Sequence, residues 1–215
     1  YFKRNNWAGK VKTEQGYVFD SVLHNAFAHF LNLMLFWTSD KLETCAEPID
    51  VKGQIWQSND IETFDSCSLE IITNQEIPLY VNLSHCIDQN VDPKIRIKGS
   101  NGTLEWFGDY YVINNDVIRL SNDNISSINE ARQTMFDNVI ANLNGVDKPI
   151  ADLSLSQGPT KTVNLIHENL TVSNSSFHSI ASDYGQQRVI IGLGKAMETA
   201  YTKGGLVSEN FTPRG

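Results

Sequence analysis

The chain has 215 residues, 40% of them hydrophobic and 20% charged, enough for one large domain with a sizeable core. Its formal charge is −8, and its longest basic run is Lys3-Arg4. That argues against nucleic acid as the main partner, since phosphate recognition needs clustered cations. Three cysteines with no Cys-x-x-Cys argue against a disulfide framework or a zinc site, so a reduced cytoplasmic setting is expected.

No signal peptide is visible. The longest apolar run, Ala26 to Trp37, is interrupted by His29 and Asn32. It falls short of the roughly 20 residues that span a bilayer, so no membrane partner is expected. The chain opens on Tyr1 rather than Met, as a processed chain or an excised domain would.

The first predicted element is a helix capped by Ser21 and running to Trp37, with Thr38-Ser39-Asp40 as its stop. From Glu43 to Leu120 the pattern turns to strands. "CSLEIITNQEIPLYVNLSH" reads as two strands around a turn at Asn74-Gln75. "KIRIKGSNGTLEWF" reads as a hairpin with Asn101-Gly102 as the central pair of its turn. "DYYVINNDVIRLS" gives a further hairpin, turning at Asn114-Asn115-Asp116. Helical spacing returns over Asn129 to Asn144, stopped by Gly145. Gly158-Pro159 opens another helix, with Val163, Ile166 and Leu170 on one face. A short strand in "QQRVIIGL" and a short helix in "GKAMETAYTKGG" complete the chain. Strands followed by helices predict an α+β fold: a large open, mainly antiparallel sheet with helices on one face, residues 1–215 forming a single domain.

Two motifs invite chemistry and lack its context. Gly192-x-Gly194 between a strand and a helix resembles part of a dinucleotide fingerprint. Met197 stands at the third glycine position, and too little chain follows for a second strand, so a tight turn is expected. Asp147-Lys148-Pro149 follows a helix end and reads as an exposed loop.

The first helix is the informative one. "DSVLHNAFAHFLNLMLFW" is apolar on most sides, yet on a continuous helix Asn25, His29 and Asn32 share one face. Buried polar groups need partners, so that line faces either a polar network or a cleft. In a cleft, histidine is the usual neutral-pH proton carrier. From the residues alone both readings stand.

Taken in order, "RNNWAGK", "DSVLHNAFAHFLNLMLF", "IRIKGSNGTLEW" and "AMETAYTKGGLVSENFTPRG" resemble the C-terminal half of the Gfo/Idh/MocA oxidoreductases. These are the relatives of glucose–fructose oxidoreductase and inositol dehydrogenase. The resemblance implies a substrate and oligomerisation domain that partners an N-terminal Rossmann domain carrying NAD or NADP. The implied reaction is hydride transfer between a sugar or cyclitol carbon and nicotinamide. It also implies homo-oligomers formed through an open sheet. Family members move the hydroxyl proton with a Glu-Lys-Pro lysine and an Asp-x-x-x-His pair. Placing His29 on the family histidine puts Asn25 where Asp is usual and Asn32 on the next acid position. Another register takes Asp20-x-x-x-His24 as the pair. The resemblance thus implies His29 and Asn25 as the catalytic pair. Asp20 and His24 fall at the cleft entrance, and Trp7, Lys10 and His85 are further substrate-binding candidates. His167 and His178 read as surface or packing residues. The Rossmann half is missing, so no bound cofactor and no activity are expected of these residues alone. A standalone binding or assembly module, or a degenerate and inactive family member, are the alternatives.

Overall fold

The computed structural model describes residues 2–41, 43–108, 110–119, 128–182 and 185–213. The chain opens with a hairpin, β1 (Lys12–Thr13) and β2 (Gly16–Tyr17), followed by a π-helical turn, Val22–Ala26, and α1 (Ala28–Trp37). Three long antiparallel strands come next: β3 (Pro48–Gln57), β4 (Ser66–Thr73) and β5 (Pro78–Ser84). A four-stranded meander follows, β6 (Ile95–Gly99), β7 (Gly102–Trp106), β8 (Tyr110–Ile113) and β9 (Asp116–Arg119), then α2 (Ile128–Leu143). The rest is α3 (Leu153–Ser156), α4 (Gly158–Asn169), β10 (Val172–Asn174), β11 (His178–Ser182), β12 (Gly185–Val189) and α5 (Leu193–Lys203). The fold is α+β with mainly antiparallel strands. The elements fall into two compact units, Asn90–Asp152 and the remainder.

The larger unit is built on a sheet in the order β10-β3-β4-β5, with only β10 parallel to its neighbour. Alternation along the strands divides its two faces. Val51 and Ile55 of β3, Cys67, Leu69 and Ile71 of β4, and Leu79 and Val81 of β5 form one core. Val22 and Leu23 of the π-turn, Leu31 and Leu35 of α1 and Ile166 of α4 close over it. Trp56 points the other way and joins Ile190, Leu193, Met197 and Val207, so α5 and the chain after it cover the opposite face. Ser68 on that face accepts from the Val207 amide at 2.8 Å and fixes the return.

The expected single helix from Ser21 to Trp37 is two pieces. Ser21 does cap, its hydroxyl accepting from the His24 amide at 3.2 Å. The first turn is then wide: Phe27 N–H reaches Val22 O at 3.2 Å, five residues back, and α1 restarts at Ala28. Two side chains in the wide turn reach backwards, His24 Nδ1 to Val18 O and Asn25 Nδ2 to Asp20. A regular helix would aim both along its own axis.

In the smaller unit the β6–β7 register pairs Gly99 with Gly102, so the turn is Ser100-Asn101 rather than Asn101-Gly102. Gly102 is required for a different reason. Its φ is +140°, and a Cβ there would meet Asn114 Oδ1 at 2.0 Å. That oxygen accepts from Thr103 N–H at 2.9 Å. The β8–β9 turn has positive φ at both Asn114 and Asn115, as a two-residue hairpin loop demands.

Gly53, inside β3, has φ +130°, and a Cβ there would lie 2.1 Å from the Ser68 carbonyl oxygen. The obstacle is backbone of the neighbouring strand, which cannot rotate away. Gly53→Ala should destabilise the larger unit by about 1–3 kcal/mol or more. Urea unfolding followed by circular dichroism would read this as a lower midpoint at unchanged slope.

Candidate functional site

The site begins with a carboxylate. Asp20 is only 2% exposed, and its carboxylate accepts four hydrogen bonds from three donors. Arg4 Nη2 spans both of its oxygens, at 2.9 and 3.0 Å. Gly9 N–H donates at 2.7 Å and Asn25 Nδ2 at 2.7 Å. Its backbone is held as well: Asp20 N–H reaches Lys10 O at 2.9 Å, and Thr63 Oγ1 donates to Asp20 O at 2.6 Å. Gly9 is in the left-handed region at φ +74°, packed so closely on Ile61 that a Cβ would meet it at 2.4 Å. This conformation turns the Trp7–Lys10 segment back on itself and points the Gly9 N–H at Asp20.

Above Asp20 lies an open pocket of about 910 Å³. Of the residues expected at a site, Trp7, Lys10, Asp20, His24 and Asn25 line it. Asn25's orientation follows from charge: a carboxylate only accepts, so the amide nitrogen faces Asp20 and the carbonyl oxygen is left for the pocket. His24 is fixed in the same way. Nδ1 lies 3.2 Å from the Val18 carbonyl, so it carries the proton and Nε2 is the acceptor. The rest of the lining comes from Asn6, Val18 and the β1–β2 hairpin, namely Thr13, Glu14, Gln15 and Tyr17. Sequence reading missed these. The signal was the turn in "KTEQGY", but strands of two residues leave no alternating run to read.

His29 and His85 do not line this pocket. His29 was expected to face the cleft beside Asn25, but it is on the exposed surface of α1 against Phe30, with ring centroids 4.2 Å apart. The shared face assumed a continuous helix, and the break at Phe27 removes it. Asn32 faces the start of α4, where a Cβ on Gly158 would lie 4.0 Å from its Oδ1. His85 packs edge-on to Phe2 at 5.7 Å and near Phe27 at 6.0 Å, as a buried aromatic ring would.

His167 is nearer the site than its place in α4 suggested. It stacks on Phe19 at 4.2 Å, and Phe19 stacks on Tyr17 at 5.1 Å, so one aromatic column ties α4 to the pocket hairpin. Phe19 holds φ +44°, rare for a bulky residue, and the column is what keeps it there. Burial lowers the pKa of His167, and nearby His24 lowers it further. Burial also lowers that of His85, against the opposing charge of Asp65.

Gly192 does not open a dinucleotide unit. It has φ +80° and starts α5 after β12, whose partner β11 is antiparallel. Gly194 faces Ile87 and Asp88 at 3.5–3.7 Å, where a pyrophosphate would need open backbone. Among the described residues no cluster of three His, Cys, Asp or Glu side chains is placed to hold a metal, and no helix is long and apolar enough to cross a membrane.

No family model and no curated protein matches the sequence. Solved structures do match. The WlbA dehydrogenase from Bordetella pertussis, in complex with NADH and UDP-GlcNAcA, superposes with a TM-score of 0.54 at 19% identity, over 78% of this chain and 48% of that one. The WlbA dehydrogenase from Chromobacterium violaceum, with the same ligands, gives 0.50 at 16% identity, over 89% and 51%. An oxidoreductase from Agrobacterium radiobacter, with NAD+, L-tartaric acid and magnesium, gives 0.50 at 13% identity, over 77% and 48%. The fold is shared with oxidoreductases of Gfo/Idh/MocA type. The chain spans about half the length of these structures.

Two outcomes follow. Asp20→Asn keeps the shape but removes the charge that Arg4, Gly9 and Asn25 converge on. Arg4 is 28% exposed and recovers some hydration, so the loss should be about 2–3 kcal/mol in chemical denaturation. Separately, His85 and His167 both have folded pKa values below the ordinary 6.5. The unfolded chain therefore binds more protons as the pH falls below 6.5. The stability they contribute is complete above that pH and is lost as pH falls through the folded values. Urea midpoints should drop as the pH falls below the ordinary 6.5, and His167→Phe, which keeps the ring column, should flatten that slope.

Proposed function

We propose that these residues form the C-terminal substrate and oligomerisation domain of an NAD(P)-dependent oxidoreductase acting on a sugar or cyclitol hydroxyl. A Rossmann domain outside this sequence would hold the dinucleotide. The observation that carries the reading is the pairing of a fold that matches about half the length of an NADH-bound dehydrogenase with a polar pocket ahead of α1. When bound, the nicotinamide would exchange a hydride with the carbon bearing the hydroxyl, while the hydroxyl proton passes to a side chain.

This chain's residues then have separable tasks. Asn25, held by Asp20, accepts from a substrate hydroxyl through its carbonyl oxygen. Lys10 donates to a second oxygen, and Trp7 forms a wall. The resemblance gives the proton to His29. It is exposed on α1 and does not line the pocket, so it would reach a substrate hydroxyl only where the substrate extends beyond the pocket lining. One observation favours a second reading, in which His24 takes the proton: it lines the pocket, and its Nε2 is the ring's acceptor.

The test uses the full gene product. Nicotinamide absorbance during turnover of sugars and cyclitols should show NAD(P)-dependent oxidation. His29→Ala should lower kcat by about 10²–10⁴-fold with a smaller change in KM. The same loss in His24→Ala, with His29→Ala unaffected, would move the role to His24. A gene product that neither binds nor turns over NAD(P) would overturn the oxidoreductase reading in favour of a binding or assembly module.

A further inference from the structure

We infer that the pocket takes an uncharged polyol, a neutral sugar ring or cyclitol, and that Glu14 selects against acidic sugars and nucleotide sugars. The inference rests on the proposed reading of this pocket as the substrate site.

The argument starts from charge. Among the described lining residues, the side chains charged at neutral pH are Lys10, Glu14 and Asp20. Asp20 is neutralised by Arg4 and its oxygens are already engaged by buried donors. Lys10 and Glu14 offset one another. The lining therefore carries no excess positive charge, which a phosphate or carboxylate ligand needs to leave water.

The usual anion devices are occupied. Arg4 binds Asp20, its Cζ lies 4.9 Å over the Trp7 ring, and it is not among the lining residues. Ser21 already caps the π-turn through the His24 amide, so that turn offers an incoming anion little. Glu14, on the hairpin, lines the pocket and places a negative charge at its wall, which repels one on a ligand.

The same residues suit hydroxyls. A carboxylate accepts from two neighbouring hydroxyls at once, an amide oxygen accepts, and an ammonium donates. Glu14, Asn25 and Lys10 supply one of each, and Gln15 and Asn6 add amides. Trp7 supplies the flat apolar surface that the C–H face of a sugar ring seeks. Arg4 lies over that indole at 4.9 Å, and the ring is 39% exposed.

Calorimetry on the full gene product tests this, with myo-inositol and methyl glucoside as neutral probes and glucuronate and UDP-N-acetylglucosamine as charged ones. The neutral probes should bind, and both charged probes should bind at least about tenfold more weakly. Glu14→Gln should narrow the gap for glucuronate while neutral binding falls only a few-fold. Trp7→Ala should abolish measurable binding of all four. Both side chains are exposed, so the variants should keep the parent's melting profile. A charged probe binding as tightly as the neutral ones, or no binding by either neutral probe, overturns the inference. Turnover separates this from the parent reading: NAD(P)-linked oxidation of an acidic sugar would overturn the neutral-ligand inference and leave the oxidoreductase standing. Neutral binding without any nicotinamide chemistry would do the reverse.

Discussion

One buried carboxylate organises the N-terminal third of this fold. Asp20 is taken out of water, a move that is costly unless the charge is paired and its oxygens are filled. Here Arg4 pairs the charge, while Gly9 and Asn25 complete the oxygens. Each donor comes from a different local structure: the opening segment, the left-handed turn at Gly9, and the π-turn. Satisfying one ion therefore fixes three pieces of chain with no regular secondary structure in common. The Thr63 hydroxyl on the Asp20 carbonyl joins them to the loop that leads into β4.

The pocket is a consequence of that convergence. The hairpin β1–β2 buries little, because its strands are two residues long. Its position depends on its ends, Lys10 and Asp20, which are hydrogen-bonded to each other, and on the column Tyr17–Phe19–His167 behind it. Phe19 accepts an unfavourable backbone conformation at the point where the chain turns from hairpin to carboxylate. The four-stranded sheet of the larger unit is ordinary packing, with the π-turn and α1 closing over its core. The pocket is thus bounded by a thin wall anchored through two networks, one ionic and one aromatic.

This division explains what the sequence made legible. Strands β3 to β5, the Asn114-Asn115 turn, α2, α4 and α5 could be read because each is specified by a local period or a turn residue. The candidate pocket was legible only where a residue type declared itself, and Trp7, Lys10, Asp20, His24 and Asn25 are such residues that line it. The network joining them was not, because Arg4 and Asp20 are 16 positions apart and Thr63 and Asp20 are 43. Gly102 shows a subtler miss. Its Asn-Gly pair signals a turn, but the glycine answers to Asn114 in the β8–β9 turn. The α1 region misled most, because a helical period does not reveal a π-turn held open by backward hydrogen bonds.

The same network accounts for the asparagine that stands where the resembling family carries an acid. Asn25 Nδ2 lies 2.7 Å from Asp20 Oδ1. An aspartate at position 25 would bring a second carboxylate to that distance inside a partly buried site. Two such charges cannot both persist, and one would have to keep its proton. An amide avoids the conflict, since it donates to Asp20 on one side and presents an oxygen acceptor on the other. It cannot carry the proton of a reacting hydroxyl. With Asp20 committed as the structural ion, position 25 can orient a ligand but has no proton to exchange, so in the proposed function that step falls to a ring nitrogen.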